Sequence, residues 1–141
     1  VVRDAEEALA RETADEDAPA TETILLVEDE DQVRNLTRTM LQRTGYRVLE
    51  ASGAEAAERL LAEHPEQIDL LLTDIVMPQT SGVELAERVR RARPGIKVVF
   101  MSGYTDEGVI RQGVLSAGVP YLQKPFTSAT LRRLVREALQ G

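Results

Sequence analysis

One pattern constrains this chain more than any other. Five short apolar runs alternate with segments whose apolar residues recur at helical spacing, and four of the runs stop on a charged or hydroxyl-bearing side chain. Ile24-Leu25-Leu26-Val27 stops at Glu28 and Asp29, Asp69 to Thr73 stops at Asp74, Ile96 to Met101 stops at Ser102, and Val119 to Gln123 stops at Lys124. Tyr46 to Glu50 is the remaining strand candidate. Short continuous apolar runs mark strands buried on both faces, the condition of a parallel sheet covered by helices.

The segments between the runs read as helices. Val33, Leu36, Met40 and Leu41 share one face of a helix that Gly45 ends. Ser52 and Glu55 have capping-box spacing and predict a helix start there, with Leu60 and Leu61 following. Ser81 and Glu84 repeat that spacing before Leu85 and Val89, and Pro94-Gly95 breaks the helix. Residues 106–116 are weakly helical, because Gly108 and Gly113 each cost about 1 kcal/mol against alanine in a helix interior. After Pro125, Leu131, Leu134, Val135 and Ala138 form one stripe with Leu139 beside them. Five strands alternating with five helices predict an α/β fold of (βα)5 form, a flavodoxin-like doubly wound parallel sheet with strand order 2-1-3-4-5.

Charge divides the chain differently. Residues 1–23 hold eight acids and two bases and so carry most of the net charge of −7, leaving residues 24–141 nearly neutral. Val1 to Arg11 could form a short helix, while Glu12 to Thr23 is acidic, Ala/Thr-rich, holds Pro19 and has no apolar period. Residues 1–23 are therefore expected to be an acidic linker, partly helical, and 24–141 a single domain. An acidic tail repels nucleic acid and anionic lipid, so neither is an expected partner. There is no cysteine, hence no disulfide framework and no thiolate metal site. No apolar run has the length of a membrane span and no secretory signal opens the chain, so the expected location is cytoplasmic.

In a parallel sheet the carboxyl ends of all strands lie on one edge, where ligands of doubly wound folds bind. Glu28, Asp29, Asp74, Ser102 and Lys124 would therefore meet in one crevice. Three close carboxylates repel one another unless a cation or protons intervene. An all-oxygen ligand set favours a hard ion such as Mg²⁺, and Lys124 adds a second positive charge. Such a site suits a phosphoryl group: metal and ammonium neutralise its oxygens while a carboxylate attacks phosphorus in line.

At these residues the sequence resembles the receiver domain of two-component response regulators and hybrid histidine kinases. The matching segments are ILLVEDE, LLLTDIVMPQTSG, VVFMSGY and YLQKPF, in order and at the family's spacing. The resemblance implies that Asp74 accepts the phosphoryl group from a phosphohistidine on a histidine kinase or histidine phosphotransfer protein. It implies that Asp29 binds Mg²⁺ directly, that Glu28 acts through metal-bound water, and that the backbone carbonyl of Val76 completes the protein ligands. Lys124 would pair first with Asp74 and then with the phosphoryl group. Ser102 would hydrogen-bond a phosphoryl oxygen, Tyr121 would follow it inward as an aromatic switch, and the helix expected over residues 106–116 and the fifth strand would shift, changing which partner binds. Pro78 and Gly82 would shape the loop after the nucleophile, and the Lys124-Pro125 bond is often cis in the family. Departures from the common pattern are the glutamate at 28, the apolar Val76, and Tyr104 standing two beyond Ser102.

Taken singly, each signal has a plainer reading. Asp74 could be a turn residue, Ser102 a cap, Lys124 a solvated loop charge and Tyr121 strand packing; their joint placement is what argues for chemistry. His64 before Pro65 reads as a helix-end residue, and Arg88, Arg90, Arg91 and Arg93 as a solvated helix end. The rival enzyme is a haloacid-dehalogenase-like phosphatase, whose DxDx[TV] motif Asp29-Glu30-Asp31-Gln32-Val33 matches, but this reading leaves Asp74 unused. With an acidic linker before the domain and no output domain after its last helix, the expected parent is a hybrid histidine kinase, with a stand-alone response regulator as the alternative. No independent enzyme is expected within the chain beyond its own phosphorylation and dephosphorylation.

Overall fold

The computed structural model describes residues 21–103 and 120–140. The expected short helix of residues 1–11 and most of the expected acidic linker lie outside the described residues, as do Tyr104, Gly108, Gly113, Val119 and the segment 106–116 expected to be weakly helical.

Five strands, β1 (Thr23–Val27), β2 (Arg47–Ala51), β3 (Leu70–Asp74), β4 (Lys97–Ser102) and β5 (Tyr121–Gln123), form one parallel sheet in the order β2-β1-β3-β4-β5. The doubly wound α/β expectation and its strand order thus hold. The described helices are α1 (Asp31–Thr44), α2 (Ala54–Glu63), α3 (Gly82–Ala92) and α4 (Ser128–Gln140).

Strand pleating sorts the apolar runs into two cores, because successive side chains point to opposite faces. Leu25, Val27, Leu71, Val98 and Phe100 face Ala57 and Leu61 of α2 and Leu85 and Val89 of α3. Ile24, Leu26, Leu70, Leu72, Val99 and Met101 face Leu41 of α1 and Leu131 and Val135 of α4. Each fully buried leucine contributes roughly 1.5–3 kcal/mol of transfer free energy. This two-sided burial is why β1 and β3 are apolar without alternation.

Helix ends show where local signals held. Gly45 closes α1 in the left-handed region at φ 109°, its amide donating to Gln42 and Leu41 carbonyls. Ser81 caps α3, its Oγ accepting from the Glu84 amide at 3.2 Å. The capping box expected at Ser52 and Glu55 does not form: α2 starts at Ala54 with extended Gly53 as its N-cap and no side-chain cap. Ser52 sits one residue too early for its hydroxyl to serve the first turn.

At the edge where the strands begin, Glu22, Asp69, Arg93, Lys97 and Leu139 line one cavity of about 650 Å³. The chain thus enters β1 and completes α4 at the same end of the sheet. No described helix is long and apolar enough to cross a membrane.

Candidate functional site

Strand register gathers the site at the opposite edge. Val27 is level with Thr73, and Asp74 is level with Met101, so Glu28 and Asp74 project one step beyond paired residues of adjacent strands. Ser102 is level with Gln123, which places Lys124 just past it. Backbone bonds continue each ladder into the site: Glu28 N to Ala51 O at 3.1 Å, Ile75 N to Met101 O at 2.9 Å and Lys124 N to Ser102 O at 2.8 Å.

One carboxylate oxygen from each of Glu28, Asp29 and Asp74 lies within 4.8 Å of the other two. The Lys124 ammonium reaches between two of them, 2.7 Å from Glu28 Oε2 and 3.0 Å from Asp74 Oδ2. Its contact with Asp74 is a hydrogen bond, whereas its approach to Glu28 Oε2 lies off the hydrogen-bonding directions and is Coulombic. Glu28 is wholly buried and Asp74 is 6% exposed, while Asp29 is exposed. A groove of about 500 Å³ opens beside them, with Asp29, Gly53, Pro78, Thr80 and Arg88 on its walls.

Burial dominates the titration of these groups. It pushes Glu28 up to about 7, with the Asp74 charge adding to it and Lys124 and the Glu30 amide opposing. It also raises Asp74 above the usual aspartate range, against the pull of Lys124. Burial works against the Lys124 charge, but the two carboxylates outweigh it and hold the ammonium above its ordinary value. When all are ionised, three carboxylates against one ammonium leave two net negative charges in a largely buried pocket. A divalent cation balances that number. The donors are all oxygens, and buried Glu28 Oε2 and Ser102 Oγ have no aligned hydrogen-bond partner among the described residues. The residues present therefore fit a hard cation beside a ligand rich in acceptor oxygens.

The structure brings together Glu28, Asp29, Asp74 and Lys124, and places Ser102, wholly buried, at the neighbouring strand end. Val76 lies in the loop after Asp74 with its side chain 49% exposed. Tyr121 is half-buried at the start of β5, level with Phe100 and against the α2/α3-side core. The Lys124-Pro125 bond is cis. Gly82 touches the end of β3 so closely that an added Cβ would stand 2.0 Å from the Asp74 carbonyl oxygen. Its amide closes the loop by donating to Ile75 O at 2.7 Å.

Two arginines were not legible as site or framework residues. Arg34 reaches back from α1 to the Glu28 carbonyl at 2.9 Å. Arg93 is not a solvated helix end: its guanidinium donates to the carbonyls of Leu61, His64 and Glu66 at 2.5–2.9 Å, tying the end of α2 to the end of α3. His64 is the C-cap of α2 and contacts Glu66 at 2.7 Å.

Comparison with known proteins agrees with this geometry. Residues 24–136 match the family model described as response regulator receiver domain. The chain is 39% identical over 125 residues to the sensor kinase CckA of Brucella abortus, covering 88% of this chain but only 13% of that protein. It is 38% identical over 115 residues to the response regulator receiver protein CpdR of the same organism, covering 81% of this chain and 91% of CpdR. A crystal structure of the receiver domain from hybrid histidine kinase CckA superposes with a TM-score of 0.69 at 35% identity, covering 84% of this chain and 99% of that one. The match across nearly the whole folded part shows that the chain belongs to the response regulator receiver domain family of two-component systems.

Proposed function

We propose that this receiver takes a phosphoryl group onto Asp74 from a phosphohistidine of a histidine kinase or histidine phosphotransfer protein. Asp29, Glu28, Asp74 and the backbone carbonyl of Val76 would hold Mg²⁺. The observation that carries the reading is the convergence of three carboxylates within 4.8 Å on one ammonium, 3.0 Å from Asp74. Bound Mg²⁺ supplies positive charge to the phosphoryl oxygens. An Asp74 carboxylate oxygen attacks phosphorus as the bond to the imidazole nitrogen breaks, and the electron pair leaves with the imidazole. Lys124 shifts part of its contact from Asp74 to the incoming oxygens, and Ser102 turns its hydroxyl, which has no partner among the described residues, towards them. Tyr121, half-buried beside Phe100, then follows inward as the switch that alters which partner binds.

On this reading residues 24–141 are the receiver and 1–23 its acidic linker, working in the cytoplasm without nucleic acid or membrane contact of their own. The parent is a hybrid histidine kinase, as for the relative CckA; the single-domain form of CpdR is the alternative. The test is exposure to acetyl phosphate with Mg²⁺, comparing the chain with Asp74→Asn by intact mass and peptide mapping. One phosphoryl adduct is expected in the wild type and none in the variant. An adduct that persists in Asp74→Asn refutes the assignment, and one mapped to Asp29 favours the phosphatase reading.

A further inference from the structure

The acidic loop has a support outside the proposed chemistry. Arg34, in the first turns of α1, folds its guanidinium back over the loop. Its Nη1 donates to the Glu28 carbonyl at 2.9 Å, its Nη2 meets Asp31 Oδ1 at 2.5 Å, and its Nε donates to Glu50 Oε1 at 3.4 Å. The Arg34 side chain is only 14% exposed, so its bonds to the Glu28 carbonyl and Glu50 are partly shielded from water, whereas Asp31 is open to solvent. Glu50 is held from its other oxygen by Arg38 at 2.6 Å.

The other polar groups of Glu28 have neighbours of their own. Its amide donates to Ala51 O at 3.1 Å, its Oε1 accepts from the Glu30 amide at 3.1 Å, and its Oε2 lies against Lys124 at 2.7 Å. The carbonyl held by Arg34 matters in a different way. A peptide unit is planar, so fixing the Glu28 oxygen also fixes the amide and Cα of Asp29. Asp29 is the exposed member of the carboxylate cluster, so its aim depends on its backbone more than on packing.

We infer that Arg34 is a positioning residue for the divalent-cation site, setting the direction of the Asp29 carboxylate through the peptide between Glu28 and Asp29. This rests on the reading of Glu28, Asp29 and Asp74 as a cation site. The planar fork of arginine reaches three oxygens on three segments at once, which one lysine ammonium cannot do in the same geometry. Groups that orient metal ligands from behind alter metal affinity by about 10–100-fold when removed.

The test uses the whole chain and Mg²⁺ alone, titrated by calorimetry at neutral pH. Arg34→Gln is expected to weaken Mg²⁺ binding by about tenfold or more. Arg38→Gln is the matched control: it also loses an ion pair to Glu50 but touches nothing in the acidic loop, and its affinity is expected to stay within about twofold. Amide hydrogen exchange at Asp29 and Glu30, measured without metal, is expected to rise in Arg34→Gln and not in Arg38→Gln. If Arg34→Gln fails to fold, Arg34→Lys replaces it, with the same direction of change in both measurements. Wild-type affinity in the Arg34 variant, or an equal loss in Arg38→Gln, overturns the inference. A folded wild type that binds no Mg²⁺ overturns the cation-site reading on which it rests.

Discussion

Gly82 offers the sharpest test of how Asp74 is held. It is the first residue of α3, yet its Cα lies against the end of β3. An alanine Cβ there would sit 2.0 Å from the Asp74 carbonyl oxygen, 2.9 Å from the Asp74 carbonyl carbon and 3.1 Å from Ile75 Cα. Comfortable contact needs roughly 3.5 Å, so the two backbones must part by more than about 1 Å. Neither is the tip of a flexible side chain. Overpacking of this kind costs about 1–3 kcal/mol. Parting the segments also breaks the 2.7 Å bond from Gly82 N to Ile75 O, worth about 1 kcal/mol, with a further penalty if a buried group is left unpaired. Alanine's better helix propensity returns less than about 1 kcal/mol at a first-turn position. Gly82→Ala is therefore expected to lose about 2–4 kcal/mol in urea unfolding followed by circular dichroism, and to lower Mg²⁺-dependent phosphorylation of Asp74. Gly53→Ala is the control. Nothing lies within 4 Å of its added Cβ and its backbone is extended, so its loss should stay within about 1 kcal/mol, as expected for an N-cap change. A Gly82→Ala protein within about 0.5 kcal/mol of wild type would mean that the loop is slack and that close approach does not fix Asp74.

Two further outcomes follow from the same packing. Without divalent cation, Glu28 titrates near 7 in the folded chain against 4.5 unfolded, so its contribution to stability is complete below pH 4.5 and is lost as pH rises through 7. The stability gained by Glu28→Gln in EDTA should accordingly grow by up to about 3 kcal/mol between pH 4.5 and 8, and a difference that stays flat across that range counts against burial as the cause. Arg93→Ala removes donors from three carbonyls at the end of α2, and a loss of about 1–2 kcal/mol is expected, with faster amide exchange confined to that helix end; a change below about 0.3 kcal/mol would show that water replaces the guanidinium without loss.

The site was legible because its residues differ in kind from what precedes them. Strands buried on both faces are mostly apolar, so a charged or hydroxyl-bearing side chain at their end stands out, and parallel strands bring those ends together. Glu28, Asp74, Ser102 and Lys124 could be read in this way. Arg93 could not, because its partners are backbone carbonyls, which no residue type announces, and neither could the one contact by which Arg34 reaches Glu28, which is also to a carbonyl. The capping signal shows the same limit from the other side. Ser81 and Ser52 stand in equivalent local patterns, but only Ser81 caps, since the backbone at Gly53 takes the capping position and shifts the start of α2 by one residue. Local spacing proposes a cap; the path of the chain out of β2 decides where it falls.

Glu22 and Leu139 share one cavity at the edge where the strands begin, while Asp74 and Lys124 lie where they end. The chain thus enters β1 and completes α4 at the pole remote from the carboxylate cluster. On the proposed reading, a domain joined to its neighbours from that pole keeps its carboxylate mouth turned away from them and towards a donor. Adding or removing covalent neighbours changes how often that encounter occurs, through local concentration, and leaves the chemistry of the mouth alone.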